Sequence, residues 1–95
     1  MNLNLTDKII IVSGGAKGIG EGIVKVLAAE GAIPVIIGRN ETDNIKTVAE
    51  VAAAGGKAFQ VVAELSSPAE CENAVKRIIE KFNRIDGLVN NAGVN

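Results

Sequence analysis

The stretch Lys8-Ile9-Ile10-Ile11-Val12-Ser13-Gly14-Gly15-Ala16-Lys17-Gly18-Ile19-Gly20 decides how this chain is read. Its first half is a β-branched run without polar alternation, the pattern of a strand buried on both faces of a parallel sheet. Its second half is a glycine-rich turn. From Ile19 onward the apolar residues Ile19, Ile23, Val26 and Leu27 recur at helical spacing until Gly31 stops them. A strand that passes through glycines straight into a helix brings backbone N–H groups, and the positive end of the helix, to where a phosphate can lie. The spacing separates the nucleotide folds. A phosphate loop of the NTPase kind needs Lys then Ser or Thr after its last glycine, whereas Glu21-Gly22 follow Gly20. The fingerprint G-x-G-x-x-G fails in register too, because Ile23 stands where the third glycine belongs. The pattern present is G-x-x-x-G-x-G, on Gly14, Gly18 and Gly20. Taken alone, such glycines can also merely tighten a strand-to-helix turn.

Working outward, residues 8–13 are predicted as the first strand and 33–37 as the second, with Pro34 near its start where a lost N–H matters least. Thr42 is predicted to cap a second helix with an inner stripe of Ile45, Val48, Ala49 and Ala52, stopped by Gly55-Gly56. A third strand covers 57–63. Ser67-Pro68-Ala69-Glu70 opens a third helix: Ser67 caps it, Pro68 suits its first turn and Glu70 closes a capping box. Its buried face is Cys71, Ala74, Val75, Ile78 and Phe82, and a fourth strand follows at 86–91. Strands alternating with helices of this length imply right-handed crossovers and a parallel, doubly wound sheet. The expected fold is therefore α/β: a partial Rossmann fold, βαβαβαβ, in three layers α/β/α with strand order 3-2-1-4. The complete dinucleotide-binding fold runs 3-2-1-4-5-6. Residues 1–95 thus read as the amino-terminal part of such a domain, with the remainder absent.

Composition limits what else the chain can be. Ninety-five residues, 47% hydrophobic and 22% charged, suit one small domain. Ten basic and eleven acidic residues give a net charge of −1 and no basic face, so neither nucleic acid nor a membrane surface is an expected partner. No apolar run approaches the roughly 20 residues of a bilayer span. Residues 1–7 lack the basic region and apolar stretch of an export signal, so a cytoplasmic protein is expected. One cysteine and no histidine exclude an internal disulfide and the common zinc sites. Cys71, at helical spacing with Ala74 and Ile78, is read as a core residue rather than a nucleophile. With no His and no Tyr, two of the commonest proton-transfer side chains are missing.

The glycine spacing, with Ser13 where Thr is usual, together with Asn90-Asn91-Ala92-Gly93 at the end of the fourth strand, resembles the short-chain dehydrogenase/reductase family. The resemblance covers the whole chain, including Asp7-Lys8 before the first strand, Glu30-Gly31-Ala32 before the second, and the segment from Phe82 to the fourth. Within the family, Gly31-Ala32-Ile33-Pro34-Val35, Glu64-Leu65, Glu70-Cys71 and residues 88–95 look most like bacterial sugar dehydrogenases of the L-fucose dehydrogenase type. The resemblance implies that Gly14, Lys17, Gly18, Ile19 and Gly20 cradle a pyrophosphate and its ribose. It places Glu64 and Leu65 beside the adenine, where the family usually has Asp. Glu64 is one methylene longer and is either an acceptor for the adenine amino group or a solvated loop carboxylate. Asn91, with Gly93 close by, would lie at the cofactor's ribose region, while Asn90 ties its strand to the neighbours.

The end of the second strand decides between cofactors. A carboxylate there would accept hydrogen bonds from the ribose hydroxyls of NAD, but Gly38 holds that place. Arg39 follows and can fork onto a 2′-phosphate, and Lys17 adds a second positive charge. Both favour NADP, with NAD as the alternative because Arg39 can also stack on adenine. The family reaction is hydride transfer between nicotinamide and a small-molecule alcohol or carbonyl, using a tyrosine, a lysine four residues after it and a serine. None of the three can be placed here, so no catalytic residue is assigned. The competing reading is a stand-alone nucleotide-binding or self-associating module. Either way, the open edge of the fourth strand predicts a homo-oligomer.

Overall fold

A computed structural model of the chain describes residues 4–91. Its elements are β1 (Ile9–Ser13), α1 (Gly18–Ala29), β2 (Ile33–Gly38), α2 (Glu41–Ala53), β3 (Phe59–Val62), α3 (Pro68–Phe82) and β4 (Gly87–Asn90). Every strand pair is parallel and the spatial order is β3-β2-β1-β4, as the sequence predicts. Ile11 of β1 stands in register with Val35 of β2 on one side and with Leu88 of β4 on the other. This inner position explains the composition of β1. All five of its residues are buried, and a strand covered on both faces has no use for polar alternation.

Two cores sandwich the sheet. On one face Ile9, Ile11, Val35, Ile37, Val61 and Ala63 meet Ala74 and Ile78 of α3. On the other, Val12 and Ile36 meet Val24 of α1 and Val51 of α2. Packing matters most for α1, whose Gly20 and Gly22 each cost about 1 kcal/mol of helix propensity against alanine. Among the described residues no helix is long and apolar enough to cross a membrane.

The helix faces differ from the expected ones. In α1, Gly20, Ile23, Val24, Leu27 and Ala28 turn inward, while Ile19 and Val26 are 69% and 63% exposed. Counting large apolar residues overlooks the small ones, Gly20 and Ala28, that let this helix approach the sheet. In α2 the cap is Asn40, not Thr42: the Asn40 Oδ1 accepts a hydrogen bond from the Asp43 N–H at 3.0 Å. The inward face is then Asn44, Thr47, Val48 and Val51, and Ile45, Ala49 and Ala52 are exposed. The polar pair goes inside because each member finds a partner there. Asn44 Nδ2 donates to the Gly38 carbonyl and to Gln60 Oε1, and Thr47 Oγ1 donates to the Ala16 carbonyl.

In α3, Ser67 caps as expected, its Oγ accepting from the Glu70 N–H at 3.3 Å. The reciprocal half of the capping box is not formed, because the Glu70 carboxylate accepts from the Glu64 N–H instead, at 2.9 Å. Asn83, at φ 63°, ends the helix. Cys71 is half-buried, its thiol directed at the Leu65 carbonyl 3.6 Å away. Phe59 and Phe82 meet edge to face at 5.7 Å on the margin of the α3 core. β3 and β4 are shorter than expected because β3 pairs only with residues 35–38 of β2 and β4 only with 10–13 of β1.

Candidate functional site

The C-terminal ends of β1, β2 and β3 open onto a cleft of about 650 Å³. Three segments shape it: the turn after β1 (Gly14, Ala16, Lys17), the end of β2 with the first turn of α2 (Gly38, Arg39, Asn40, Asp43, Asn44), and the segment after β3 (Glu64, Leu65, Ser66). Open α/β sheets take their ligands in the crevice outside the carboxyl ends of the strands.

The turn is built for close approach. The Gly14 N–H donates to the Ile37 carbonyl at 2.9 Å, which fixes the turn to β2. Gly14 and Gly18 both have left-handed backbone, at φ 71° and 57°. Gly20 is buried, and a Cβ on it would overlap the Gly14 carbonyl. That carbonyl accepts a hydrogen bond from Asn91 Nδ2 at 3.3 Å. The buried Ser13 hydroxyl donates to Asn90 Oδ1 at 3.0 Å and accepts from the Asn91 N–H at 3.2 Å. The end of β4 therefore braces the glycine turn. Asn40 and Ser67 cap their helices with side-chain oxygens, whereas Lys17, at the cap of α1, makes no such bond. The N-terminal N–H groups of α1 are thus left without a side-chain acceptor from the cap residue, as an anion site requires.

The charges in the cleft are balanced. Lys17 Nζ lies 3.1 Å from Asp43 Oδ2, and an Arg39 guanidinium nitrogen 4.0 Å from Glu64 Oε2. The Lys17 and Arg39 side chains are 77% and 81% exposed. Such surface pairs are worth about 0–1 kcal/mol, so an arriving anion can take over either cation at little cost. Outside the cleft, the hydrogen bonds that Lys25 Nζ donates to Glu21 and Glu50 raise its ammonium above its usual range. Asp86 is held low by Arg84 and by the backbone N–H of Ile9. Among the described residues no cluster of His, Cys, Asp or Glu could hold a metal ion. The cleft is equipped to bind charge.

Of the residues singled out in the sequence, Gly14, Lys17, Arg39, Glu64 and Leu65 line this one cleft. Gly18 and Ile19 are exposed at the start of α1, Gly20 lies beneath the turn, and Asn91 sits behind it against the Gly14 carbonyl. Gly93 lies outside the described residues. Asp43 and Asn44 also line the cleft, beyond the residues that the sequence singles out. Placing the cap of α2 at Thr42 hid them; the Asn40-x-x-Asp43 spacing, a capping residue with an acid three positions on, was the available signal.

The family model described as short chain dehydrogenase matches residues 8–95. A 3-oxoacyl-[acyl-carrier-protein] reductase from Synechocystis is 38% identical over 91 residues, covering 95% of this chain and 37% of that protein. The short-chain dehydrogenase/reductase homolog YusS from Bacillus subtilis is 33% identical over 93 residues, covering 97% of this chain and 85% of that one. The crystal structure of a metagenomic short-chain oxidoreductase in complex with NADP superposes with a TM-score of 0.90 at 32% identity, over 95% of this chain and 41% of that one. The chain thus spans well under half the length of the longer relatives. The match runs from the first strand to the last residue, so the assignment rests on no single motif: the chain belongs to the short-chain dehydrogenase family.

Proposed function

We propose that this chain is the amino-terminal, adenosine-binding part of the NAD(P) domain of an oxidoreductase acting between an alcohol and a carbonyl, and that it prefers NADP(H) to NAD(H). The observation that carries the reading is the convergence, on one cleft, of the uncapped start of α1 with two exposed cations, Lys17 and Arg39. The solved relative bound to NADP supports it. When bound, the dinucleotide supplies the donor or acceptor of the hydride. The chain's own residues hold it. Gly14 shapes the turn that cradles the pyrophosphate, Gly18, Ile19 and Gly20 set backbone N–H groups against it, and Arg39 and Lys17 meet the 2′-phosphate. Phosphate taken up by Arg39 would free the Glu64 carboxylate from its ion pair to accept from the adenine amino group beside Leu65. Asn91 and Gly93 take the ribose side. The chain contains no tyrosine, so the family's acid–base residue must come from outside these 95 residues.

Calorimetric titration with NADPH and NADH tests this. NADPH is expected to bind more tightly, and Arg39→Asp to weaken it by about tenfold or more while sparing NADH. An unchanged ratio of the two affinities would count against the role of Arg39. No binding to folded protein at millimolar cofactor would defeat the whole assignment.

A further inference from the structure

Asn44 is fully buried, yet the phosphate cradle does not account for it. Its Nδ2 donates to the Gly38 carbonyl at 3.0 Å and to Gln60 Oε1 at 3.1 Å, joining α2 to the ends of β2 and β3 beside the cleft. Its Oδ1 is buried without a hydrogen-bond partner among the described residues. An orphaned buried acceptor is costly, so its position needs a reason. A Cβ on Gly38 would lie 2.7 Å from that oxygen and 3.5 Å from Asn44 Cγ and Nδ2. The amide therefore fills the volume that a side chain at position 38 would take. Two hydrogen bonds pin it, and swinging it aside would break both and strand Gln60 as well.

Position 38 is the strand end where an acidic side chain would accept from the ribose hydroxyls of an unphosphorylated cofactor. We infer that Asn44 is a specificity-determining residue: by filling the space beside Gly38 it bars that carboxylate and leaves Arg39 as the charged group facing the ribose. The inference rests on the dinucleotide reading above. It makes Asn44 a positioning residue acting through Gly38, with no contact of its own to the cofactor. It also implies that cofactor preference cannot be reversed at position 38 alone.

The test is a double-mutant cycle on the chain with Gly38→Asp, Asn44→Ala and the pair. Melting temperature is measured alongside affinity for two probes, 2′,5′-ADP and 5′-ADP, which carry two phosphates each, one of them at the 2′ position only in the first. Gly38→Asp alone is expected to lower the melting temperature by about 5 °C or more without tightening 5′-ADP. Adding Asn44→Ala should recover part of that loss. It should also shift the ratio of affinities about tenfold toward 5′-ADP relative to the unaltered chain. A Gly38→Asp protein that melts with the unaltered chain and already prefers 5′-ADP would overturn the inference, as would a pair no more stable than Gly38→Asp. Should Gly38→Asp not fold, Gly38→Ala with and without Asn44→Ala repeats the stability cycle with one methyl group, and additive effects there overturn it equally. Failure of the folded, unaltered chain to bind either probe would instead bring down the cofactor reading beneath it.

Discussion

At Gly20 the first helix comes so close to the turn it leaves that a methyl group would overlap the Gly14 carbonyl, while at Gly22, one position pair further on, a Cβ would meet nothing within 4 Å. The two glycines share a helix, so comparing them separates propensity from packing. Gly22→Ala should stabilise the chain by about 0.5–1 kcal/mol, the ordinary gain of alanine over glycine in a helix. Gly20→Ala should destabilise it by about 1–3 kcal/mol, because overpacking outweighs that gain. Urea unfolding of both variants checks the pair of signs. A second residue bears on acid stability. Asp86 Oδ2 accepts from the Ile9 N–H at 2.8 Å and Oδ1 accepts from the Arg84 guanidinium at 2.7 Å, closing the start of β1 onto the approach to β4. Arg84 foremost, then Ile9, lowers its pKa below the ordinary 3.8. Folding therefore favours the ionised form. The stabilisation is complete above the ordinary carboxylate value and is lost as pH falls through the lower, folded value. Asp86→Asn should thus be less stable than the unaltered chain at neutral pH, with the difference shrinking in strong acid. Unfolding curves across the acid range measure it, and a constant difference would contradict it.

Among the elements, those with local stops or an unbroken apolar run were legible in the sequence. β1 announced itself by its β-branched run, and Ser67-Pro68 marked the start of α3 at the residue where the structure begins it. The apolar pattern of α2 points a partial turn away from its inner face because Asn44 and Thr47, polar by type, lie inside. The groups that make this tolerable are the Gly38 carbonyl, Gln60 and the Ala16 carbonyl, and the last two lie 16 and 31 residues away. No local periodicity reports such partners. The error carried into the site, since Asp43 and Asn44 belong to that turn, whereas the glycine turn and Arg39 were readable from spacing alone. The same geometry yields a prediction. Loss of either cap, Asn40→Ala or Ser67→Ala, should cost about 1 kcal/mol. Only Asn40→Ala, which loosens the turn carrying Asp43 and Asn44, should also weaken cofactor binding. Thermal melts combined with titrations distinguish the two, and equal effects on binding would argue that the start of α2 has no part in the cleft.

Across the whole molecule, β3 and β4 form the two edges of the sheet, and Leu88 on β4 is 66% exposed although its register partner Ile11 is buried. Ile19, Val26 and Ile79 are exposed as well. An open strand edge beside uncovered apolar side chains favours pairing with another copy. The isolated chain is therefore expected to self-associate, most simply as a two-fold pair through β4. Sedimentation over a wide concentration range checks this, and a monomer persisting at the highest concentration would contradict it. The central claim, that the cleft at the strand ends receives the adenosine half of a dinucleotide, is tested most directly by recording the backbone amide resonances of the chain during titration with NADPH. The expected result is a set of shifts confined to residues 14–20, 38–44 and 64–66 and to Asn91 and Gly93, with Arg39 among the largest. Shifts gathered instead around the groove between α1 and α2 at Gly55 and Gly56, or none at saturating cofactor with the protein folded, would contradict it.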